Sequence, residues 1–525
     1  MPKKIYSDFS GGIADSDKNA KSNQFYAGAG VDIHREWGYI MPGFLKSNIA
    51  INNLNSDIVD IVHDTINSRA YAITNGARAV FEIYTDVDLD SESNTSFGSG
   101  AVNYVTIAGN TEAKGIIYAI RDTSSSDTTV RYAFIAYNGT AKNIGKGSTA
   151  TNVWTSAALW DEDWLSTIPT GGATLNAGRR DIITWETYMW YTNGQYVGRI
   201  NGNVYPNVAT PTFFDLGKSW VADRLFPLGN YLAIVSSYGQ SVYNPAVSRN
   251  ANECRVTLID GSSNTRAVKI IPLEGITQVH AIKNKNGTIF VWADDAGLGH
   301  IVGILTDDGL EEVKKVQHDV SGSRVEFLSP ISNGAVAIYK GKTLFGTYGG
   351  KVAATQVNSM GGLIFQYGRK NINSETALSV PFLISNTASS RVTSVKPISA
   401  DKIYAGYFDG TNYKLDKLSS GNSTPTIKWG YEDFGQKVRI NYIKAYFKPL
   451  VSGDSITLGL DVDYGTSVPL GIGSGNIKNS LDGVATQKRF DIKKICHSFR
   501  PTVTWVSGGT AISKIVVDYD FVDDL

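Results

Sequence analysis

One short element recurs along this chain: a four-residue apolar strand, mostly with a small or aromatic residue inside it, set between two turns. It reads Ala70-Tyr71-Ala72-Ile73, Tyr132-Ala133-Phe134-Ile135, Tyr188-Met189-Trp190-Tyr191, Tyr231-Leu232-Ala233-Ile234, Ile289-Phe290-Val291-Trp292, Val336-Ala337-Ile338-Tyr339 and Ile403-Tyr404-Ala405-Gly406. From Tyr71 to Ile403 the mean spacing is about 55 residues, and a kelch-type propeller blade takes roughly 50. The neighbouring pieces follow one plan. Ile58-Val59-Asp60-Ile61-Val62 leads through a turn into Ala70 to Ile73, and Asn75-Gly76 returns the chain into Ala79 to Tyr84. Asn-Gly and Asp-Gly supply the positive φ angles of tight hairpins. The marker is read as the second strand of each unit, and its alanine as a sign that side chains near a central axis have little room. The competing reading is a set of ordinary meanders in several sandwiches.

The expected architecture is all-β: an extended N-terminal clasp over residues 1–50, a β-propeller of about seven blades over 51–424, and a C-terminal β-sandwich over 425–525. The last part reads as long alternating strands such as Val438 to Phe447 and Ile456 to Asp463. Helical periodicity is scarce, with a turn or two possible over Ala157 to Ser166. A chain of 525 residues is ample for a large core without cross-links. Its 53 Gly, 15 Pro and 27 Tyr suit many short strands joined by turns. The two cysteines, Cys254 and Cys496, are too far apart in sequence to read as a framework and are expected to be buried thiols. No apolar run approaches the ~18 residues of a membrane span, and the N-terminus lacks the apolar region of a secretion signal, so a soluble protein made in a cytoplasm is expected. With 49 basic against 49 acidic residues, the net charge is zero. That argues against a protein that binds nucleic acid by neutralising phosphates.

Linear catalytic signatures are missing. There is no His-Glu-x-x-His, no Gly-x-Ser-x-Gly and no Walker lysine. The six histidines are scattered, and Cys496 and His497, as strand neighbours, point to opposite faces. On this basis no enzyme activity and no cofactor are expected. Asp86, Asp88 and Asp90 have the alternate spacing of a calcium loop, but Ser91 stands where that loop needs Gly and Phe97 where it needs the bidentate Glu, so they are weak calcium candidates only. The densest aromatic region holds Trp154, Trp160, Trp164, Trp185 and Trp190. Sugar sites combine aromatic faces with carboxylates, so Trp154, Trp160, Asp161, Asp163 and Trp164 form a candidate glycan site, while Trp185 and Trp190 are expected to fill a blade core. A propeller glycosidase is the third reading; the nearest piece to an Asp-box, Asn284 to Ile289, lacks both the Asp and the Trp.

The segment Asp8-Phe9-Ser10-Gly11-Gly12-Ile13, followed by Asn23-Gln24-Phe25 and by Gly30-Val31-Asp32-Ile33-His34-Arg35-Glu36-Trp37-Gly38-Tyr39, resembles the opening of tail and nozzle proteins of double-stranded DNA bacteriophages. Those proteins commonly begin with a Phe-Ser-Gly-Gly turn and continue into a strand that enters a propeller. This chain has Ile33 to Trp37 where the family often shows Arg-Pro. The resemblance implies a virion structural component, made in the host cytoplasm and assembled as a homo-oligomeric ring, six-fold by that likeness, with Phe9, Gly11, Gly12, Trp37 and Tyr39 as assembly residues. It further implies neighbouring tail or adaptor proteins as partners and DNA that passes without sequence-specific binding, for which an uncharged wall is suited. The alternative is a receptor-binding or glycan-binding tail propeller.

Overall fold

The computed structural model describes residues 2–522 apart from 14–23, 85–92, 95–103, 123–128, 150–159, 239–252, 317–333, 352–358, 370–375 and some shorter pieces. Seven antiparallel sheets follow one another along the chain. Blade 1 comprises Ile58–Asp64, Arg69–Thr74 and Arg78–Tyr84, with Val105–Thr106 at its outer edge; blade 2 comprises Ala113–Arg121, Thr129–Asn138, Lys142–Ser148 and Trp160–Asp161. Blade 3 holds Ile182–Trp185, Tyr188–Asn193, Tyr196–Asn201 and Val208–Asp215, and blade 4 holds Trp220–Leu228, Tyr231–Tyr238, Cys254–Ile259 and Lys269–Leu273. Blade 5 runs from Ile276–Lys285 through Thr288–Asp295 and Gly299–Leu305 to Leu310–Val316. Blade 6 joins Val336–Tyr339, Lys342–Gly346, Leu363–Arg369 and Thr376–Leu383. Blade 7 takes three strands from one stretch, Arg391–Pro397, Ile403–Phe408 and Tyr413–Ser420, and its fourth, Phe44–Ile49, from the N-terminal segment.

The protein is therefore a seven-bladed β-propeller with a C-terminal sandwich. Six of the seven repeat markers are second strands of blades. Val336 to Tyr339 is instead the first strand of blade 6, whose second strand is Lys342–Gly346. The small residues also have a different reason from the one their spacing suggested. The first strands line the axis, and the second strand lies inside each blade with a neighbouring blade on either side. In blade 1, Ala70 and Ala72 join Ile58, Tyr404 and Leu415 in the layer shared with blade 7, whereas Tyr71 and Ile73 join Ala133, Ile135 and Tyr137 in the layer shared with blade 2. Phe134 and Ala136, on the opposite face of blade 2, meet Met189 and Tyr191 of blade 3. Leu232 and Ile234 pack with Trp190 of blade 3, and Ala233 and Val235 with Val279 and Val291 of blade 5. Strand side chains alternate between faces, so a strand buried on both faces must be apolar throughout.

The first fifty residues are shared out rather than forming a separate clasp. Lys3–Ser7 pairs along Ile512–Phe521 as an edge of the C-terminal sheet, and Ala27–Gly28 pairs with Thr426–Lys428 of the same sheet. Phe44–Ile49 closes the propeller by pairing with Tyr413–Ser420. In the C-terminal part, the 21-residue strand Gln487–Ser507 pairs with Glu432–Phe447 along its first half and with Ser455–Val462 along its second, within one nine-stranded sheet. Asp57, just before blade 1, receives both Nε and Nη2 of Arg391 from blade 7, at 3.0 to 3.1 Å, beside this seam. Ring closure thus has a backbone component and a charged one.

Replacing Ala72 by leucine inserts three methylene-sized groups into the layer between blades 1 and 7. We expect a loss of about 1–3 kcal/mol, read as a lower urea midpoint with unchanged slope.

Candidate functional site

Among the described residues, the tryptophan cluster does not form a sugar platform. Trp160 is buried, with its ring against Gly145, where a Cβ atom would lie 2.4 Å from Cη2. Trp164 is buried on Phe134, with ring centroids 4.7 Å apart. Neither face is open to stack on a sugar, so this part of the glycan site is corrected: both rings fill layers beside blade 2. Asp161 is half-buried at the blade edge and paired in register with Lys146. Asp163 is exposed, and its Oδ1 accepts from Asn143 Nδ2 at 3.2 Å just ahead of the single helical turn Trp164–Thr167. Trp154 lies outside the described residues, as do Asp86, Asp88 and Asp90. Trp185 and Trp190 are core residues as expected, with Trp190 fully buried and its indole N–H donated to the Trp185 carbonyl at 3.2 Å.

Of the assembly candidates, Phe9 falls inside the molecule. Phe9 is fully buried against Trp429 of the sandwich, with ring centroids 5.9 Å apart, and holds a positive φ of 51°. Gly12 begins a short parallel pairing with Gln24–Phe25. Tyr39 is half-buried beneath Lys448 Nζ, 4.9 Å from its ring centre. Gly11 and Trp37 lie outside the described residues. Cys254 and Cys496 are both buried, and burial pushes each thiol up to about 12. Cys496 is buried while His497 is exposed on the other face of the strand, so they form no dyad. Among the described residues, no group of three or more His, Cys, Asp or Glu side chains is placed to hold a metal ion, and no helix is long and apolar enough to cross a membrane.

What the fold does bring together is a set of charges near the starts of the first strands. These strands run the same way around the axis, as the parallel bridge between Gly334 and Ser394 illustrates, so their starts share one end of it. Asp60 of blade 1 accepts the Gly115 amide at 3.1 Å through Oδ2, while its Oδ1 meets Lys114 Nζ of blade 2 at 3.0 Å. Asp181, entering blade 3, repeats the arrangement with blade 4: its Oδ2 accepts the Leu225 amide at 2.8 Å, and Arg224 Nη1 stands 3.7 Å from Oδ1. Arg179 Nε meets Asp223 of blade 4 at 3.4 Å. The first strands of blades 1, 4, 5 and 7 carry a bulge near these starts. In blade 4 the bulge leaves Asp223 as the extra residue, which re-aims it out of the ladder.

The environments pull these carboxyls apart. Burial acts to raise Asp60, but Lys114, Lys396 and the Gly115 amide outweigh it and hold its carboxyl below the usual range. For Asp181 burial prevails over Arg224, Lys114 and the Leu225 amide, and its carboxyl is raised. Asp223 is raised as well, chiefly by burial, against the opposing Arg179 guanidinium and Ser237 hydroxyl. Carboxyls tuned in opposite directions at one place can hold a proton and accept one. None of these residues belongs to a linear motif. The signal available in the sequence was a charge interrupting an apolar strand, as in Ile58-Val59-Asp60-Ile61-Val62 and Trp220-Val221-Ala222-Asp223-Arg224-Leu225.

No family model matches the chain, and no curated protein does. Solved structures match at low identity. The Dos1 propeller is 9% identical, with 73% of this chain and 96% of that one covered and a TM-score of 0.41. An exo-β-1,3-galactanase from Phanerochaete chrysosporium is 9% identical over 66% of this chain and 97% of that one, with a TM-score of 0.27. A glycoside hydrolase family 43 arabinoxylan arabinofuranohydrolase from Bacillus subtilis is 12% identical over 90% and 97%, again with a TM-score of 0.27. Likeness at this level speaks to the fold alone. The expectation that this chain is not an enzyme is withdrawn, because it rested on missing linear signatures alone. Missing linear signatures carry little weight in such a fold, where side chains at the axis come from separate blades.

Asp60 yields a pH prediction. Its folded pKa lies below its unfolded value, so its contribution is full above the ordinary carboxylate range and is lost as pH falls through the lowered value. Asp60→Asn leaves Lys114 without its partner and is expected to cost about 3 kcal/mol near neutrality. The difference in melting temperature between wild type and variant should shrink below about pH 4.

Proposed function

We propose that this chain is a glycan-binding propeller of a bacteriophage tail, with the glycan seated at the axial end where Asp60, Lys114, Asp181, Asp223 and Arg224 converge. The observation that carries this reading is that carboxylates and cations are paired at the junctions of blades 1 and 2 and of blades 3 and 4, and that Lys114 and Asp60 of the first junction act electrostatically on Asp181 of the second. Sugar hydroxyls donate and accept hydrogen bonds at once, and interleaved carboxylate acceptors and guanidinium or ammonium donors complement them. The resemblance of the N-terminal segment supports the placement in a tail. A tail-borne glycan site would serve contact with a cell surface.

Binding of the full-length chain to an oligosaccharide panel tests the reading, with the same samples assayed for released reducing ends. A bound sugar should lose about tenfold in affinity with Asp223→Asn. If no saccharide binds below about 1 mM, the reading fails.

A second reading, a homo-oligomeric ring in the tail, is favoured by exposed apolar side chains at one end of the sandwich. Val451, Leu481, Val484 and Val506 are 66%, 74%, 96% and 53% exposed. They flank the register in which Ser455 opposes both Lys478 and Ser507. Apolar groups gathered in this way mark interaction surfaces. With Leu481→Asp and Val484→Asp together, mass photometry should show a ring reduced to single subunits; an unchanged assembly would remove this end from the interface.

A further inference from the structure

Two junctions of the propeller carry the same device, and comparing them isolates one defect. At the junction of blades 1 and 2, both Asp60 oxygens are engaged, one by the Gly115 amide and one by Lys114 at 3.0 Å. At the junction of blades 3 and 4, the Asp181 oxygens are taken by backbone amides, Leu225 at 2.8 Å and Ile182 at 3.1 Å. Arg224 is left 3.7 Å away through Nη1, beyond hydrogen-bond distance. Its side chain is 3% exposed, and neither Nε nor Nη2 has an acceptor. These two atoms form one edge of the guanidinium, with parallel N–H groups.

Glu112, Asp60 and Asp223 also act on Arg224 through their charge, but none of them accepts from its Nε or Nη2. Asp223 is held by Arg179 at 3.4 Å and by the Ser237 hydroxyl. Arg180, the adjacent cation, is satisfied separately: its Nε donates to the Tyr137 carbonyl at 3.1 Å and its Nη2 to the Asn176 carbonyl at 2.7 Å. Donors buried without acceptors are costly, and native proteins pair them. A parallel pair of N–H groups matches the two oxygens of a carboxylate in bidentate fashion.

We infer that the Nε and Nη2 edge of Arg224 is a carboxylate-binding subsite, and that the glycan bound at the axis is an acidic one whose uronate group occupies it. The inference rests on the glycan reading and narrows it. A small free carboxylate presents the same chemistry, and the experiment separates the two sources.

The full-length chain is titrated calorimetrically with a trigalacturonate, with the neutral galactotriose and with sodium acetate, each also against Arg224→Lys and Arg224→Gln. Lysine keeps the charge and loses the fork, and melting curves establish that each variant is folded. The expected result is trigalacturonate binding at least tenfold tighter than galactotriose, with that preference lost in Arg224→Lys. Acetate binding that is lost in the same variant, with no gain for the trisaccharide, supports the subsite with a free carboxylate as its occupant. Galactotriose binding as tight as trigalacturonate and indifferent to Arg224 overturns the inference while leaving the glycan reading intact. No binding of either carboxylate overturns it as well.

Discussion

The closed ring of blades is the constraint on which the rest of this structure depends. A sheet that packs on a neighbour at each face has no solvent side, and every blade here except at its rim is in that position. Burial of the second strands, Ala70 to Ile73 and Leu232 to Val235 among them, is then two-sided. The ring holds only if its last junction is as good as the others. Phe44–Ile49 supplies the outer strand of blade 7, and the Arg391 to Asp57 pair ties that blade to the first. This pair is partly shielded from water, where charge-assisted bonds of such geometry are stronger than at an open surface.

The charged end of the axis follows from the same constraint. Side chains near the start of each first strand have nowhere to point except toward the next blade or toward the axis. Asp60 and Asp181 use the first option, each accepting an amide of the following blade and facing its cation. What differs is how far that cation is satisfied: Lys114 is paired, whereas Arg224 keeps an unpaired edge. A structural staple at one junction is, by a change of 0.7 Å in the ion pair and of lysine to arginine, a receptive group at another.

The termini show why domain boundaries drawn along the sequence mislead in this architecture. A single N-terminal stretch gives two strands to the C-terminal sheet and another to the propeller, and places Phe9 against Trp429. Residues 1–50 thus belong to both bodies. The motif that carries the resemblance to phage tail proteins is engaged within its own chain at Phe9 and Gly12.

By itself the sequence determined a propeller of about seven blades, the all-β class and the buried state of both cysteines. These depend on local composition: turn residues at blade spacing and strands apolar on both faces, which can be read without knowing what lies across the fold. It misassigned the marker of blade 6, because an apolar strand reads alike whether it stands first or second. It also took Trp160 and Trp164 for exposed rings, because exposure depends on the covering Gly145 and Phe134. Only the tertiary structure decided the axial site. Asp60, Lys114, Asp181, Asp223 and Arg224 span 165 positions of sequence and form no spacing pattern. They meet because ring closure returns the start of each first strand to one axis, and the burial that sets their charges is a property of that closed ring.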